Sequence, residues 1–165
     1  MSSFSIRPFC TDDLERVQDI AEMAWKPIYE NFRRLLGDEL FEQTRPGAEK
    51  IKRTQLATFT QVHPDRIVVA VDDANGKIIG FATWDLNIAQ KVGIISNNAV
   101  DKTSGFKGVG QALYAELFRR FKEAGMTAAQ VTTGLDEGHA PARRAYQRAG
   151  FGEAKLESVT YYKKL

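Results

Sequence analysis

The sequence is poor in the residues that build metal clusters and disulfide frameworks. Cys10 is its only cysteine, and His63 and His139 are its only histidines. That count excludes an intrachain disulfide and a cysteine-based cluster, and it leaves a catalytic zinc site without support. Cys10 reads as an inert, partly buried thiol, and His63, beside Pro64, as a plain loop residue. No apolar run approaches the ~18 residues of a membrane span, and the opening MSSFSIRPF lacks the apolar stretch of a secretory leader. Neither sign of charge dominates: 23 Lys and Arg stand against 21 Asp and Glu. Neither nucleic acid nor a membrane surface is therefore expected as a partner. The basic pairs Arg33-Arg34, Arg119-Arg120, Arg143-Arg144 and Lys163-Lys164 read as solvated faces. No repeat or low-complexity linker divides the 165 residues, and the expectation is one cytoplasmic domain over residues 4–165.

What is present is regular periodicity. A short strand in FSIRPF precedes Thr11, read as a helix cap with two aspartates in the first turn. Leu14, Val17, Ile20, Ala21, Ala24 and Trp25 then recur at helical spacing. Pro27 is expected to interrupt that helix, a second to run through Tyr29, Phe32 and Leu36 to Gly37, and a third from Ala48 to Thr60 after the Pro46-Gly47 break. The pattern then changes: RIVVAV and KIIGFATW, joined across Asp72 to Gly76, predict a hairpin, and KVGIISNNAV predicts a further strand. A helix ending near Glu123 at Gly125, a strand in AAQVTT, a helix in HAPARRAYQRAGF and a last strand in ESVTYYKK complete the chain. The expected fold is α/β, with a mixed, mostly antiparallel central sheet flanked by helices.

The stretch GFKGVGQA, residues 105 to 112, sets three glycines at the mouth of a helix. A nucleotide-triphosphate loop needs Lys and then Ser or Thr after the last glycine, and here Gln111 and Ala112 follow Gly110. A dinucleotide fingerprint needs its glycines spaced G-x-G-x-x-G inside a parallel unit, which this is not. Two readings remain. One is a glycine-rich turn with no ligand. The other is a pyrophosphate site, in which unpaired N–H groups and the partial positive charge of the helix start meet an anion that no Cβ keeps away.

These residues resemble the GNAT superfamily of N-acetyltransferases, whose acetyl-CoA loop reads Q/R-x-x-G-x-G/A. Gly108 and Gly110 match its small positions, and NNAVD resembles the strand end before it. Gly105 stands where the family has Gln or Arg and Phe106 where glycine is common; Lys107 is a guess at compensating charge. The segment HAPARRAYQRAGF is similar to the family's N-x-x-A-x-x-x-Y-x-x-x-G-F through Ala142, Tyr146, Gly150 and Phe151, with His139 replacing Asn. The resemblance implies acetyl-CoA as co-substrate, no metal, and cofactor contacts from Asn98, Ala99, Val100, Gly105, Phe106, Lys107, Gly108, Val109, Gly110, Gln111, His139 and Tyr146. It also implies a splay in the sheet near Val100, whose backbone N–H would face the acetyl carbonyl.

Tyr146 is the residue this resemblance makes a general acid, because a phenol beside the thiolate leaving group can return its proton. From the residues alone the favoured reading is a core tyrosine on the Ala142, Ala145, Ala149 face, and the resemblance reverses that preference. His139 has the chemistry of a base, while its position matches a cofactor contact or a helix cap. The base expected by chain order is Asp85, with a water held by Ser96 or Asn97 as the equal alternative. Trp25, Tyr29, Phe32 and Trp84 are candidate walls of the acceptor pocket, or core. A small-molecule or peptide amine is the implied acceptor, its identity open, with Asp136-Glu137 or Asp38-Glu39 available as a local acidic patch. A homodimer is implied by the resemblance. A catalytically silent acyl-CoA-binding module is the alternative to an enzyme.

Overall fold

The apolar runs assemble in the order in which they occur. A computed structural model describes residues 3–155 and 160–163. Its strands, β1 (Phe4–Pro8), β2 (Ile67–Asp72), β3 (Ile78–Asn87), β4 (Val92–Val100) and β5 (Ala128–Val131), form one sheet in the order β1-β2-β3-β4-β5. The first three pairings are antiparallel and the last, β4 with β5, is parallel. This is the mixed, mostly antiparallel sheet expected from the sequence.

Strand alternation divides the core in two. Ile67, Val69, Val71, Ile78, Phe81 and Ala99 meet Val17, Ile20, Ala21 and Leu56 on one face, that of α1 (Leu14–Leu36) and α3 (Ala48–Val62). Val68, Ala70, Ile79, Ala82, Trp84 and Ile95 meet Val109, Leu113, Leu117 and Phe121 of α4 (Val109–Glu123) and Tyr146 of α5 (Ala140–Arg148) on the other. Gly93 lets α4 approach: a Cβ there would lie 2.3 Å from Phe121 Cγ. Because β2 and the first part of β3 are covered on both sides, they read as continuous apolar runs rather than as alternation.

Pro27 does not interrupt the first helix, which is continuous from Leu14 to Leu36. Proline removes the N–H that would bond the carbonyl four residues earlier; that residue, Met23, is 45% exposed, so water can take the free carbonyl. Gly37, at φ +76°, ends α1, and the sequence reading missed the short α2 (Asp38–Thr44) that follows and buries Phe41. Thr11 is not the cap it was expected to be. Residues Thr11–Asp13 form a 3₁₀ turn, closed when the Asp13 carboxylate accepts from the Cys10 N–H at 2.8 Å and from Arg7. Cys10 is exposed rather than partly buried. Of the last expected strand, residues 157–159 and 164 lie outside the described residues, and residues 160–163 form no strand.

Candidate active site

Beyond Ile95 the parallel pairing stops. β4 is bonded to β5 from Val92 to Ile95 and then continues to Val100 along β3 alone. The Asp101 N–H donates to Ile79 O at 2.8 Å, and successive strand amides point in opposite directions, so the Val100 N–H faces the gap. The Asn97 N–H is turned toward β3, where it donates to Thr83 Oγ1 at 2.9 Å, which gives Asn98 the same outward direction as Val100. A cleft of about 960 Å³ follows this gap.

One end of the cleft is the glycine loop. Asp101, 3% exposed, holds its start: the carboxylate accepts from Thr103 N–H at 2.9 Å and Thr103 Oγ1 at 2.6 Å and pairs with Arg16 of α1. Burial alone would raise the Asp101 pKa, but the bonds from Thr103 and Arg16 outweigh it and hold the carboxyl below its usual range. Gly105 and Gly108 have φ of +76° and +81°, and a Cβ at either would meet nothing within 4 Å. Glycine is required there by backbone shape, and the space beside it is open. Ala112 N–H makes the first bond of α4, to Gly108 O at 3.0 Å. The amides of Val109, Gly110 and Gln111 therefore have no partner within the helix and stand at its positive end. This open concavity, with unspent donors and no carboxylate on the loop, fits a pyrophosphate.

The loop's departures from the motif have visible consequences. Phe106 packs edge-to-face on Phe4, with centroids 5.8 Å apart, and still lines the cleft. Lys107 is exposed and off the cleft wall, while Lys102 lines the cleft. Gln111 donates to Ala145 O at 3.0 Å, tying α4 to α5.

Tyr146 is at the centre. Its hydroxyl accepts from Asn98 Nδ2 at 3.2 Å, while Asn98 Oδ1 accepts from the Tyr114 hydroxyl at 2.9 Å. Tyr114 thus fixes which way the Asn98 amide faces, and Asn98 fills an acceptor position on the Tyr146 oxygen while leaving the Tyr146 proton free to be donated. Burial pushes the Tyr146 phenol above its ordinary pKa, against the opposing effect of the Asn98 bond, so it stays protonated through neutral pH.

His139 lines the cleft from the turn before α5. It does not cap α5 with its side chain. Its Nδ1 lies 2.6 Å from Asp136 Oδ2, and Asp136 Oδ1 accepts from Asn31 of α1 at 3.0 Å. With Nδ1 donating to Asp136, the lone pair resides on Nε2, which has no hydrogen bond among the described residues. Asp136 is thereby committed, and Asp38 pairs with Arg33 on the surface. Of the two acidic pairs considered from the sequence, only Glu137 lines the cleft.

Besides Gly105 and Lys107, four candidates do not reach the cleft wall. Asp85 pairs with Arg66 and accepts from Leu86 N–H at 2.7 Å, so it is replaced as the candidate base. Trp84 is buried in the α4 core under the Arg120 guanidinium, 5.0 Å from the ring centroid. Phe32 stands behind His139, rings 6.3 Å apart, and is stacked by Arg45 at 4.2 Å. Tyr29 is half-buried on α1 beside the cleft-lining Ile28. Period alone does not say which side of α1 or β3 faces the gap. Only Trp25 of the four aromatics lines it.

The model of the acetyltransferase (GNAT) family matches residues 18–151. The chain belongs to the GNAT family. Among solved structures, this GNAT chain is similar to the aminoglycoside N-acetyltransferase AAC(6')-Iy in complex with CoA, at 20% identity and TM-score 0.63, covering 99% of this chain and 96% of that one. It is similar to glucosamine-6-phosphate N-acetyltransferase from Arabidopsis thaliana, at 17% identity and TM-score 0.54, covering 98% and 99%. It is also similar to Ard1 from Thermoplasma volcanium, at 20% identity and TM-score 0.67, covering 92% and 84%. At these identities the likeness is one of fold. A comparison with curated proteins finds no match.

The opposite wall of this GNAT cleft was not legible from the sequence. Lys52 of α3 donates to Asn97 Oδ1 at 2.9 Å and rests 4.6 Å from the Trp25 ring centroid. Burial lowers its pKa. A lysine on a polar helix face has no motif to mark it, and its partner is 45 positions away in the chain.

Proposed function

We propose that the cleft transfers acetyl from acetyl-CoA directly to a primary amine. Acetyl-CoA supplies the activated acyl group when bound. The amides of residues 109–111 grip the diphosphate, and Lys102 adds charge at the same end. The Val100 N–H donates to the acyl oxygen as negative charge develops there. His139, held by Asp136, takes the proton that the acceptor nitrogen sheds as the new N–C bond forms. Tyr146 gives its proton to the sulfur as the C–S bond breaks, and regains one from solvent. For an amine of pKa about 10.4, deprotonation at pH 7 costs roughly 4 to 5 kcal/mol, which is why a base is needed on the acceptor side.

The observation that carries this reading is the Tyr114–Asn98–Tyr146 chain, which aims a protonated phenol at the gap where β4 exposes the Val100 amide. Thermal unfolding with acetyl-CoA, ATP and NAD in parallel tests the cofactor. Acetyl-CoA at a hundred times its dissociation constant should stabilise by about 2.7 kcal/mol, and the others should not. Release of CoA in the presence of an amine panel tests turnover; binding with no release from any amine favours the silent module. The family resemblance extends the proposal to a cytoplasmic homodimer, which light scattering checks for assembly.

A further inference from the structure

Among the described residues Lys52 is the one lysine or arginine on the cleft wall that is not exposed, Lys102 and Arg148 being the other two there, whereas partly buried arginines off the wall have carboxylates. Arg16 pairs with Asp101, Arg53 with Asp19 and Glu22, Arg66 with Asp85 and Arg120 with Glu116. Lys52 has none within ion-pair range among the described residues; its partners are a neutral amide oxygen and an indole face. An ammonium carries three donors, and here one is used, by Asn97. A half-buried cation with no counter-ion is an unfavourable arrangement unless an anion arrives to share it. Among the described residues the one carboxylate on the cleft wall is Glu137, in the turn Glu137–His139.

The diphosphate is not that anion. Asn98 sends its side chain toward α4, the helix whose first amides form the glycine cradle, and Asn97 sends its own to α3 and Lys52 on the other face. Lys52 therefore stands across the sheet edge from the loop, on the wall with Trp25 and Ile28 of α1. Resting on the reading that this cleft is an acetyltransferase site, we infer that Lys52 receives an anionic group of the acceptor, so that the substrate class is primary amines that also carry a carboxylate or a phosphate. The same wall disfavours polycations: a spermidine or aminoglycoside ammonium entering beside Trp25 meets Lys52 without a facing carboxylate.

The test is initial-rate CoA release with four short amines: butylamine, 4-aminobutyrate, 2-aminoethyl phosphate and spermidine. One or both anionic amines should be turned over with kcat/KM well above that of butylamine, and spermidine should be the poorest. Which anionic amine is preferred separates carboxylate from phosphate. Lys52→Met keeps the stem and removes the charge. It should lower kcat/KM for the preferred anionic amine about 10- to 150-fold, chiefly through KM, the worth of one charge-assisted hydrogen bond. It should leave butylamine within about twofold, and Lys52→Arg should restore part of the loss. Butylamine or spermidine as the best substrate, or an unchanged anionic preference in Lys52→Met, overturns the inference.

Product binding separates this from failure of the transferase reading. With CoA present, 4-acetamidobutyrate or its 2-acetamidoethyl phosphate counterpart should bind the wild type in calorimetry and bind Lys52→Met at least tenfold more weakly. Equal binding to both, or binding to neither, removes the anion site whether or not turnover is seen. Failure of acetyl-CoA itself to bind overturns the transferase reading, and the inference with it.

Discussion

Asn97 and Asn98 are neighbours on β4, yet their amides serve opposite faces of the sheet: Asn97 Oδ1 accepts from Lys52 at 2.9 Å, and Asn98 Oδ1 accepts from Tyr114 at 2.9 Å. One residue step separates the wall of Lys52 and Trp25 from the wall that holds the phenol. The alternation of a strand, period two, does this without any special device. The gap at the β4 edge lies between them.

Tyr146→Phe removes the proton given to the sulfur. It should lower kcat by about 10² to 10⁴-fold, with acetyl-CoA affinity unchanged within a few-fold by calorimetry. Tyr114→Phe frees the Asn98 amide to turn, so it should lower kcat by a smaller factor, on the order of tenfold. A Tyr146→Phe enzyme as fast as the wild type would take the phenol out of the chemistry.

Gly108→Asp places a side chain and a negative charge at a residue with φ +81°. The left-handed backbone alone costs roughly 1 to 2 kcal/mol for a residue with a Cβ, and the carboxylate would face the site of the diphosphate. Acetyl-CoA should no longer raise the melting temperature. Gly108→Ala, with the backbone penalty but no charge, should retain weaker binding.

His139→Gln keeps a polar group and loses the base. The expected result is a fall in kcat of about 10²-fold with acetyl-CoA binding retained, measured by single-turnover CoA release. Asp85→Asn, which touches Arg66 and not the cleft, should be close to wild type in rate. The reverse ranking of these two variants would return the base to β3.

The bonds from Thr103 and Arg16 hold the Asp101 carboxyl below the ordinary carboxylate range despite its burial. A group whose folded pKa is depressed contributes stability that is full above the unfolded pKa and is lost as pH falls through the folded one. Acid unfolding should therefore include a loss that begins below pH about 4, and Asp101→Asn should flatten that part of the curve. Arg16→Ala leaves the buried carboxylate short of its cation and should cost about 3 kcal/mol in urea unfolding.

The parts of the site that were legible in the sequence are those written contiguously. The glycine loop and the Tyr146 segment each hold their chemistry within a dozen or so neighbouring residues, and helix geometry turns that spacing directly into position. The sheet was legible for the same reason, since each strand pairs with the next along the chain. What stayed hidden depends on distant residues. Arg16 meets Asp101 across 85 positions and Asn98 meets Tyr146 across 48, and no local pattern records either meeting. Trp84 and Asp85 failed as site residues because the face and direction of a β3 side chain are set by partners on both sides of the sheet. Pro27 failed as a helix stop because local propensity yields when packing holds the next turn in place.

The short pairing of β5 has a mechanical consequence. This strand is joined to the rest of the sheet along Ala128–Val131 alone, and α5 follows it, so the tyrosine and histidine ride on the segment with the fewest ladder bonds. A cofactor threaded along the opening would bridge the two sides and act as a splint. Amide deuteration of residues 128–148 should then slow when acetyl-CoA is added, more than that of β2 or β3, whose exchange is already limited by pairing on both sides.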